Sequence, residues 1–332
     1  MKQLKKILVI QTASIGDVIL ATPIIETLHK TYPEAMISLV LKKGMEGLFA
    51  SHPYVARLYL WDKSQNKLKN LYDILKEIQS ERYDLVVNAQ RFFLTGVLTA
   101  FSRARHTTGF NKNPMSIFFS HRTKHIIGNT GIHETERNLS LISHIIKGAS
   151  ARPRLYPSAK DDAVSSQYKT HKYICVAPAS LWFTKQFPAM KWVEFLNEVP
   201  GELYVYFVGS ENDRGLCEKI ISETKHRNVL NLAGKLTFLE TASLLRDAAM
   251  NFVNDSAPMH LASAVNAPVT AIFCSTVPSF GFGPLSGDSS IVETSADLSC
   301  RPCGLHGLNA CPEKHFDCAM GISKEKLLQR IP

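Results

Sequence analysis

The sequence predicts an α/β protein of two doubly wound domains, each an open parallel sheet with helices on both faces. Three observations carry that reading. Short β-branched runs alternate with helical periodicity from the start of the chain, and the same alternation restarts after a proline-punctuated polar stretch at 151–172. The chain has 332 residues, 45% of them hydrophobic, which at ~100–200 residues per domain is enough for two cores.

KKILVIQ (5–11) reads as a strand, TASIG as a turn, and DVILATPIIETLHKTY as a helix with Val18, Ile19, Ile24, Ile25 and Leu28 on its apolar side. MISLVLKK is the next strand, RYDLVVNAQ (82–90) another, and HETERNLSLISHII (133–146) a further helix. Beyond the junction KYICVAPAS is a strand, PAMKWVEFLNEV a helix opened by Pro188, and ELYVYFVGS a strand ending at Gly209. DRGLCEKIISET, FLETASLLRDAA and PMHLASAVN read as helices, NVLNLAG and MNFVND as strands, and PVTAIFC closes the series. The expected domains are 1–155, a linker at 156–172, 173–318, and a C-terminal helix in 319–332. Two such domains are expected to leave a cleft, and ligands of open parallel sheets sit beyond the carboxyl ends of the strands.

Composition near the globular average excludes wholesale disorder, collagen-like repeats and a mini-protein held by disulfides. No apolar run approaches the ~20 residues of a spanning helix, and the first residues pass straight into polar and charged ones. A cytoplasmic protein is expected.

The net charge of +9 is unevenly spread. Residues 1–166 hold 23 basic and 13 acidic side chains, and 167–332 hold 15 and 16. Between Asp84 and Glu134 there is no carboxylate, while Arg91, Arg103, Arg105, Lys112, Arg122 and Lys124 lie there. Such a field attracts an anionic partner: nucleic acid, an anionic membrane surface or a phosphorylated substrate.

Four loops carry the chemistry. Ser14 and Asp17 have the spacing of a capping box, and Asp17 at a strand's end is also placed for a general base. Asp255-Ser256-Ala257-Pro258 joins a strand to a helix whose free N–H groups suit a phosphate, with ordinary capping as the alternative. Lys185, after the first strand of the second half, is a candidate phosphate clamp, and Asp213 a candidate acceptor for ribose hydroxyls. No GxGxxG follows the first strand, so a nicotinamide site there is unsupported.

TASIGDVILATPII, HETERNL, PASLWFTKQFP, FVGSENDR, FVNDSAPMHLASA and the CxxC tail together resemble glycosyltransferase family nine, the ADP-heptose:lipopolysaccharide heptosyltransferases of the GT-B fold. The resemblance runs in order over nearly the whole chain. It implies inverting transfer of a heptose from ADP-heptose to an anionic lipopolysaccharide inner core, without a catalytic metal. It makes Asp17 the base and Ser14, Thr184, Lys185, Asp213, Asp255, Ser256, Ala257 and His260 the donor site. Arg91, Arg103, Arg105, Lys112 and Arg122 are expected to hold the acceptor, with room for a peripheral contact at the inner membrane and none with nucleic acid. Ala257 stands where the family often has glycine, which narrows the backbone approach.

Two other readings compete: a GT-B sugar-nucleotide epimerase or an enzyme with another sugar donor, and a nucleic-acid-binding protein using the basic stretch with its interleaved phenylalanines. Cys175, Cys217 and Cys274 fall in apolar segments as buried thiols. Cys300, Cys303, Cys311 and Cys318 offer four soft ligands for a structural zinc or iron, against reduced thiols packed under the tail.

Overall fold

The computed structural model describes residues 4–128 and 130–332. The chain divides into two compact units, the first running to Ile127 and resuming at Ile132–Tyr156, the second made of Gly128–Gly131 and Pro157–Pro332. In the first, the order is β1 (Lys6–Ile10), α1 (Ile15–Thr31), β2 (Met36–Lys42), β3 (Val55–Trp61), α2 (Lys67–Glu81), β4 (Leu85–Asn88), α3 (Phe93–Ala100), β5 (His106–Phe110), β6 (His121–Thr123) and α4 (Glu134–Ser140). The strands form one parallel sheet in the order β3-β2-β1-β4-β5-β6.

The second unit runs α5 (Ala159–Ser166), β7 (Tyr173–Ala177), α6 (Ala189–Leu196), β8 (Tyr204–Phe207), α7 (Arg214–Glu223), β9 (Val229–Asn231), α8 (Phe238–Asp247), β10 (Met250–Asn254), α9 (Ala257–Ala264), β11 (Val269–Phe273), β12 (Ser289–Glu293), α10 (Asp317–Met320) and α11 (Glu325–Leu328). Its sheet, β12-β11-β10-β7-β8-β9, repeats the order of the first and is again parallel. Strand order reverses beside β1 and β4 in one unit and beside β7 and β10 in the other, the positions where such sheets open toward a ligand.

The central strands are continuous apolar runs because helices cover both their faces. Ile7, Leu8, Val9 and Ile10 are buried, as is every residue of β7. Trp192, Phe195, Phe207 and Phe252 fill the second core, which also takes in Ala319, Ile322 and Leu327 from the tail.

Helix α1 carries Pro23 in its interior, where proline removes one N–H and crowds the preceding turn. The carbonyls exposed there find other donors. Thr22 Oγ1 donates to Ile19 O at 2.7 Å, and Asn138 Nδ2 of α4 donates to Leu20 O at 3.0 Å. The helix thus continues through the proline, and the next carbonyl along ties α4 to α1.

Three expectations change. The stretch 156–172 contains α5, opened by a capping box between Ser158 and Asp161 and bound to α8 through Ser165 Oγ and Ser243 Oγ at 2.8 Å, so it is part of the second unit. Residues 319–332 hold the end of α10 and the one-turn helix α11, not a single helix, because their apolar residues dock separately into the core. Helix α4 ends at Ser140, well before 146.

Candidate active site

Two of the predicted loops meet in the second unit, at the carboxyl ends of neighbouring β7 and β10. Lys185 closes a 3-10 turn, Phe183–Lys185, and its Nζ lies 2.7 Å from Asp255 Oδ2. The same oxygen accepts a hydrogen bond from Thr276 Oγ1 at 2.6 Å. Both charged groups are largely withdrawn from water, with 15% of the Lys185 side chain and 7% of that of Asp255 exposed. Burial of this kind is tolerated when charges are paired and hydrogen-bonded.

Ser256 is the N-cap of α9 in extended conformation (φ −157°, ψ 177°), and its side chain does not cap the helix. Pro258 occupies the first turn, where its missing N–H is no loss. The first-turn N–H groups of α9, the half-buried Ser256 and Ala257, and Lys185 thus come from two adjacent strand exits. His260, one turn further along, is buried.

Thr184 is buried, and its hydroxyl accepts from Ser275 Oγ at 2.9 Å and from Leu308 N at 2.8 Å. It therefore anchors the 307–308 segment beside Lys185. Gly307 has φ +78°, and a Cβ there would lie 2.9 Å from Lys185 Cγ, so the close approach needs glycine. Asp213, at the exit of β8, is half-buried and accepts from Ser210 N at 2.7 Å and Ser210 Oγ at 2.8 Å, both through Oδ2.

The first unit repeats that device at β1. Ser14 caps α1, and Asp17 Oδ2 accepts from Ser14 N at 3.1 Å and from Ser14 Oγ at 2.5 Å. The capping reading of Ser14 and Asp17 holds. It occupies one carboxylate oxygen, and among the described residues none donates to Asp17 Oδ1. Capping and acid–base chemistry are compatible in one carboxylate.

Three residues near this loop had escaped the sequence reading. Glu134 and Arg137 of α4 form a buried ion pair, Arg137 Nε to Glu134 Oε2 at 2.7 Å. Burial holds the Glu134 carboxyl above its usual range; the Arg137 charge opposes this and the Asp17 charge adds to it. Lys63 donates to Thr12 O at 2.6 Å and to Thr12 Oγ1 at 3.1 Å, and burial, with Lys42 and Lys67 nearby, pulls its ammonium down to about 8. HETERNL contains the first two in plain sight, and only the packing of α4 on α1 gives them a place. Nothing in the pattern marks Lys63.

The basic residues do not gather at one place. Arg91, half-buried, and Lys112 follow β4 and β5 at the carboxyl end of the sheet. Arg103 and Arg105 precede β5 at the opposite end, and Arg122 is exposed on the edge strand β6. The sequence could not separate them because both ends of β5 carry cations.

Cys175, Cys217 and Cys274 are buried free thiols, as their apolar surroundings predict. Among the described residues no group of three or more His, Cys, Asp or Glu side chains is arranged to hold a metal ion, and Cys300, Cys303, Cys311 and Cys318 are free. Cys318 is buried on α10, which packs into the core, while Cys303 is only half-buried and its N–H donates to Ser275 O at 2.9 Å. Burial, then the neighbouring thiols, pushes Cys318 up to about 11. The four thiols feel one another's charge, and among the described residues their arrangement assigns no metal to them.

A family model described as glycosyltransferase family 9 (heptosyltransferase) matches residues 71–307. The chain belongs to that family. The glycosyltransferase is similar to lipopolysaccharide heptosyltransferase 3 of Escherichia coli, 26% identical over 275 residues that cover 79% of this chain and 81% of the relative. Its fold matches the glycosyl transferase family 9 structure from Veillonella parvula with a TM-score of 0.83 and 19% identity, over 99% of this chain and 97% of the other. It also matches the E. coli ADP-heptose lps heptosyltransferase II, with a TM-score of 0.80 and 18% identity over 98% and 97%. The expected GT-B fold class, with two doubly wound parallel sheets, is the one found.

Proposed function

We propose that this glycosyltransferase moves a heptose from ADP-heptose to the inner core of lipopolysaccharide, with inversion at the anomeric carbon. The observation that carries the reading is the Lys185–Asp255 pair beside the open N-terminus of α9. A largely buried ammonium, the Ser256 hydroxyl, whose bond to Asn254 O is 3.3 Å long, and the Ala257 N–H at the start of α9 form an anion cradle suited to a diphosphate that gains charge as it leaves. The names of the relatives supply the donor and the acceptor class.

In this mechanism Asp17 Oδ1 takes the proton from an acceptor hydroxyl. The freed oxygen attacks C1 of the heptose on the face opposite the diphosphate, the new C–O bond forms, and the bond from C1 to the diphosphate oxygen breaks. ADP departs with its electron pair, and Lys185, Ser256 and the N–H of Ala257 stabilise its charge. Asp213 accepts hydrogen bonds from the ribose hydroxyls, Thr184 holds Lys185 in place, and His260 lies beneath the sugar. Arg91 and Lys112 meet the acceptor's phosphates and sugar-acid carboxylates; Arg103, Arg105 and Arg122 add to the long-range field. Since the acceptor is lipid-anchored, the enzyme works in the cytoplasm at the inner face of the inner membrane. No described helix is long and apolar enough to cross a membrane.

The test is Asp17→Ala, which should abolish transfer and leave ADP binding intact by calorimetry, with only the ~0.5–2 kcal/mol loss of stability expected for a cap. Transfer that survives, or ADP binding lost together with the fold, contradicts the role of Asp17.

A further inference from the structure

Strands β4, β5 and β6 are neighbours at one edge of the first sheet and run parallel, so their exits emerge on the same side. Each exit carries a cation followed by exposed apolar side chains. After β4 come Arg91, Phe92 and Phe93; after β5, Lys112, Ile117 and Phe118; after β6, Lys124 and Ile126. Phe92 and Phe93 after β4 and Ile117 and Phe118 after β5 are 57%, 54%, 69% and 62% exposed, and Ile126 after β6 is 37% exposed, unusual for side chains of this size on adjacent strand exits.

The loops are stitched to one another, so the exposure is built in. Asn113 Nδ2 donates to Gln90 O at 3.1 Å and Phe92 O at 3.0 Å, while its Oδ1 accepts from Met115 N at 3.0 Å. A Cβ on Gly96 would fall 2.1 Å from that Oδ1, so α3 can lie against the loop only with glycine there. His125 N donates to Asn111 Oδ1 at 3.0 Å, joining the third exit to the second. His125 also feels the Lys112 and Arg91 charges, so the cations of separate exits share one field.

We propose that these three strand exits are a membrane-docking surface, in which Phe92, Phe93, Ile117, Phe118 and Ile126 enter the interfacial layer of an anionic bilayer while Lys124 meets lipid phosphates and Arg91 and Lys112, which hold the acceptor, add to the attracting field. The inference deepens the acceptor reading above and rests on it for the identity of the membrane. Charge decides the occupant: the stretch from Asp84 to Glu134 contains no carboxylate to oppose an anionic surface. The apolar residues decide against single-stranded nucleic acid, since Ile117 and Ile126 have no ring face on which a base can stack. Insertion is interfacial, because no described helix can span.

The test is co-sedimentation of the whole protein with vesicles of mixed phosphatidylglycerol and phosphatidylcholine, against phosphatidylcholine alone. The wild type should bind the mixed vesicles preferentially. Phe93→Ser combined with Phe118→Ser should lower that partition by about tenfold or more, since burying apolar area is the affinity removed. The double variant should keep the wild-type Tm and wild-type transfer onto a deacylated, water-soluble acceptor. Absence of preferential vesicle binding, or a double variant that binds like wild type, overturns the proposal. So does a concentration-dependent dimer or oligonucleotide binding that the double variant abolishes in place of vesicle binding. Vesicle binding without transfer onto the deacylated acceptor sinks the transferase reading and leaves the docking surface standing.

Discussion

Lys185 Nζ and Asp255 Oδ2 are 2.7 Å apart, so the cation expected to clamp the donor's phosphates is held by a carboxylate expected to cradle the same group. An incoming diphosphate must share Lys185 with Asp255, and Thr276 keeps that carboxylate hydrogen-bonded while it does so. The pair aims the ammonium before the donor arrives, which lowers the ordering cost at the moment of reaction.

Lys185→Ala should therefore weaken donor binding and lower turnover together, because a clamp on the leaving diphosphate acts in both ground and transition states. A fall in kcat/KM of about 10²-fold is expected for loss of one such donor. Steady-state kinetics with ADP titration calorimetry check it; unchanged values remove Lys185 from the site.

The Glu134–Arg137 pair makes a stability prediction. Glu134→Gln leaves Arg137, with 3% of its side chain exposed, without its counter-ion, and should cost about 3–5 kcal/mol. Replacing both, Glu134→Leu with Arg137→Met, should cost less than Glu134→Gln alone. Denaturant unfolding of the three proteins decides, and a double variant that loses more than Glu134→Gln alone would count against this account.

Acid sensitivity follows from two buried histidines. Burial pushes His52 and His125 down to about 4, with nearby positive groups adding to the effect. Below an ordinary histidine value of ~6.5 the unfolded chain takes up protons that the folded one refuses, so stability is full above that value and falls as pH drops toward 4. Glu26 Oε1, 3.6 Å from His52 Nε2, and Tyr156, which donates to Glu26 at 2.9 Å, face the first of these rings. His52→Gln should flatten part of the loss, of order 1–3 kcal/mol, in Tm measured across pH 4–7. An identical pH profile for the variant would count against it.

Transfer should continue in excess EDTA, because Lys185 and the first turn of α9 carry the charge of the departing diphosphate. Turnover measured with and without chelator checks this. Activity lost to EDTA and restored by magnesium would transfer that role to a metal.

Both sheets were legible in the alternation of runs such as KKILVIQ and KYICVAPAS, since buried parallel strands are continuously apolar. The edge strands β3, β6 and β12 were not, because strands exposed on one side lack that run, and neither was β5, whose Thr107, Thr108 and Gly109 are buried without being apolar. For the site, the strand-end loops were legible from small residues and proline at helix starts. The contacts that complete it were not: Thr276 and Leu308 lie far along the chain from Lys185, and only the sheet order brings them together. For the tail, CxxC spacing leaves a ligand set and packed reduced thiols equally open, and Cys318 is a buried free thiol.

The central claim is tested most directly by mass spectrometry of truncated lipopolysaccharide acceptors incubated with the protein and a panel of nucleotide sugars. ADP-heptose should add the mass of one heptose residue to the acceptor, dependent on Asp17 and Lys185. Addition of a hexose from a uridine nucleotide sugar, or no addition from ADP-heptose to any inner-core acceptor, would contradict the account.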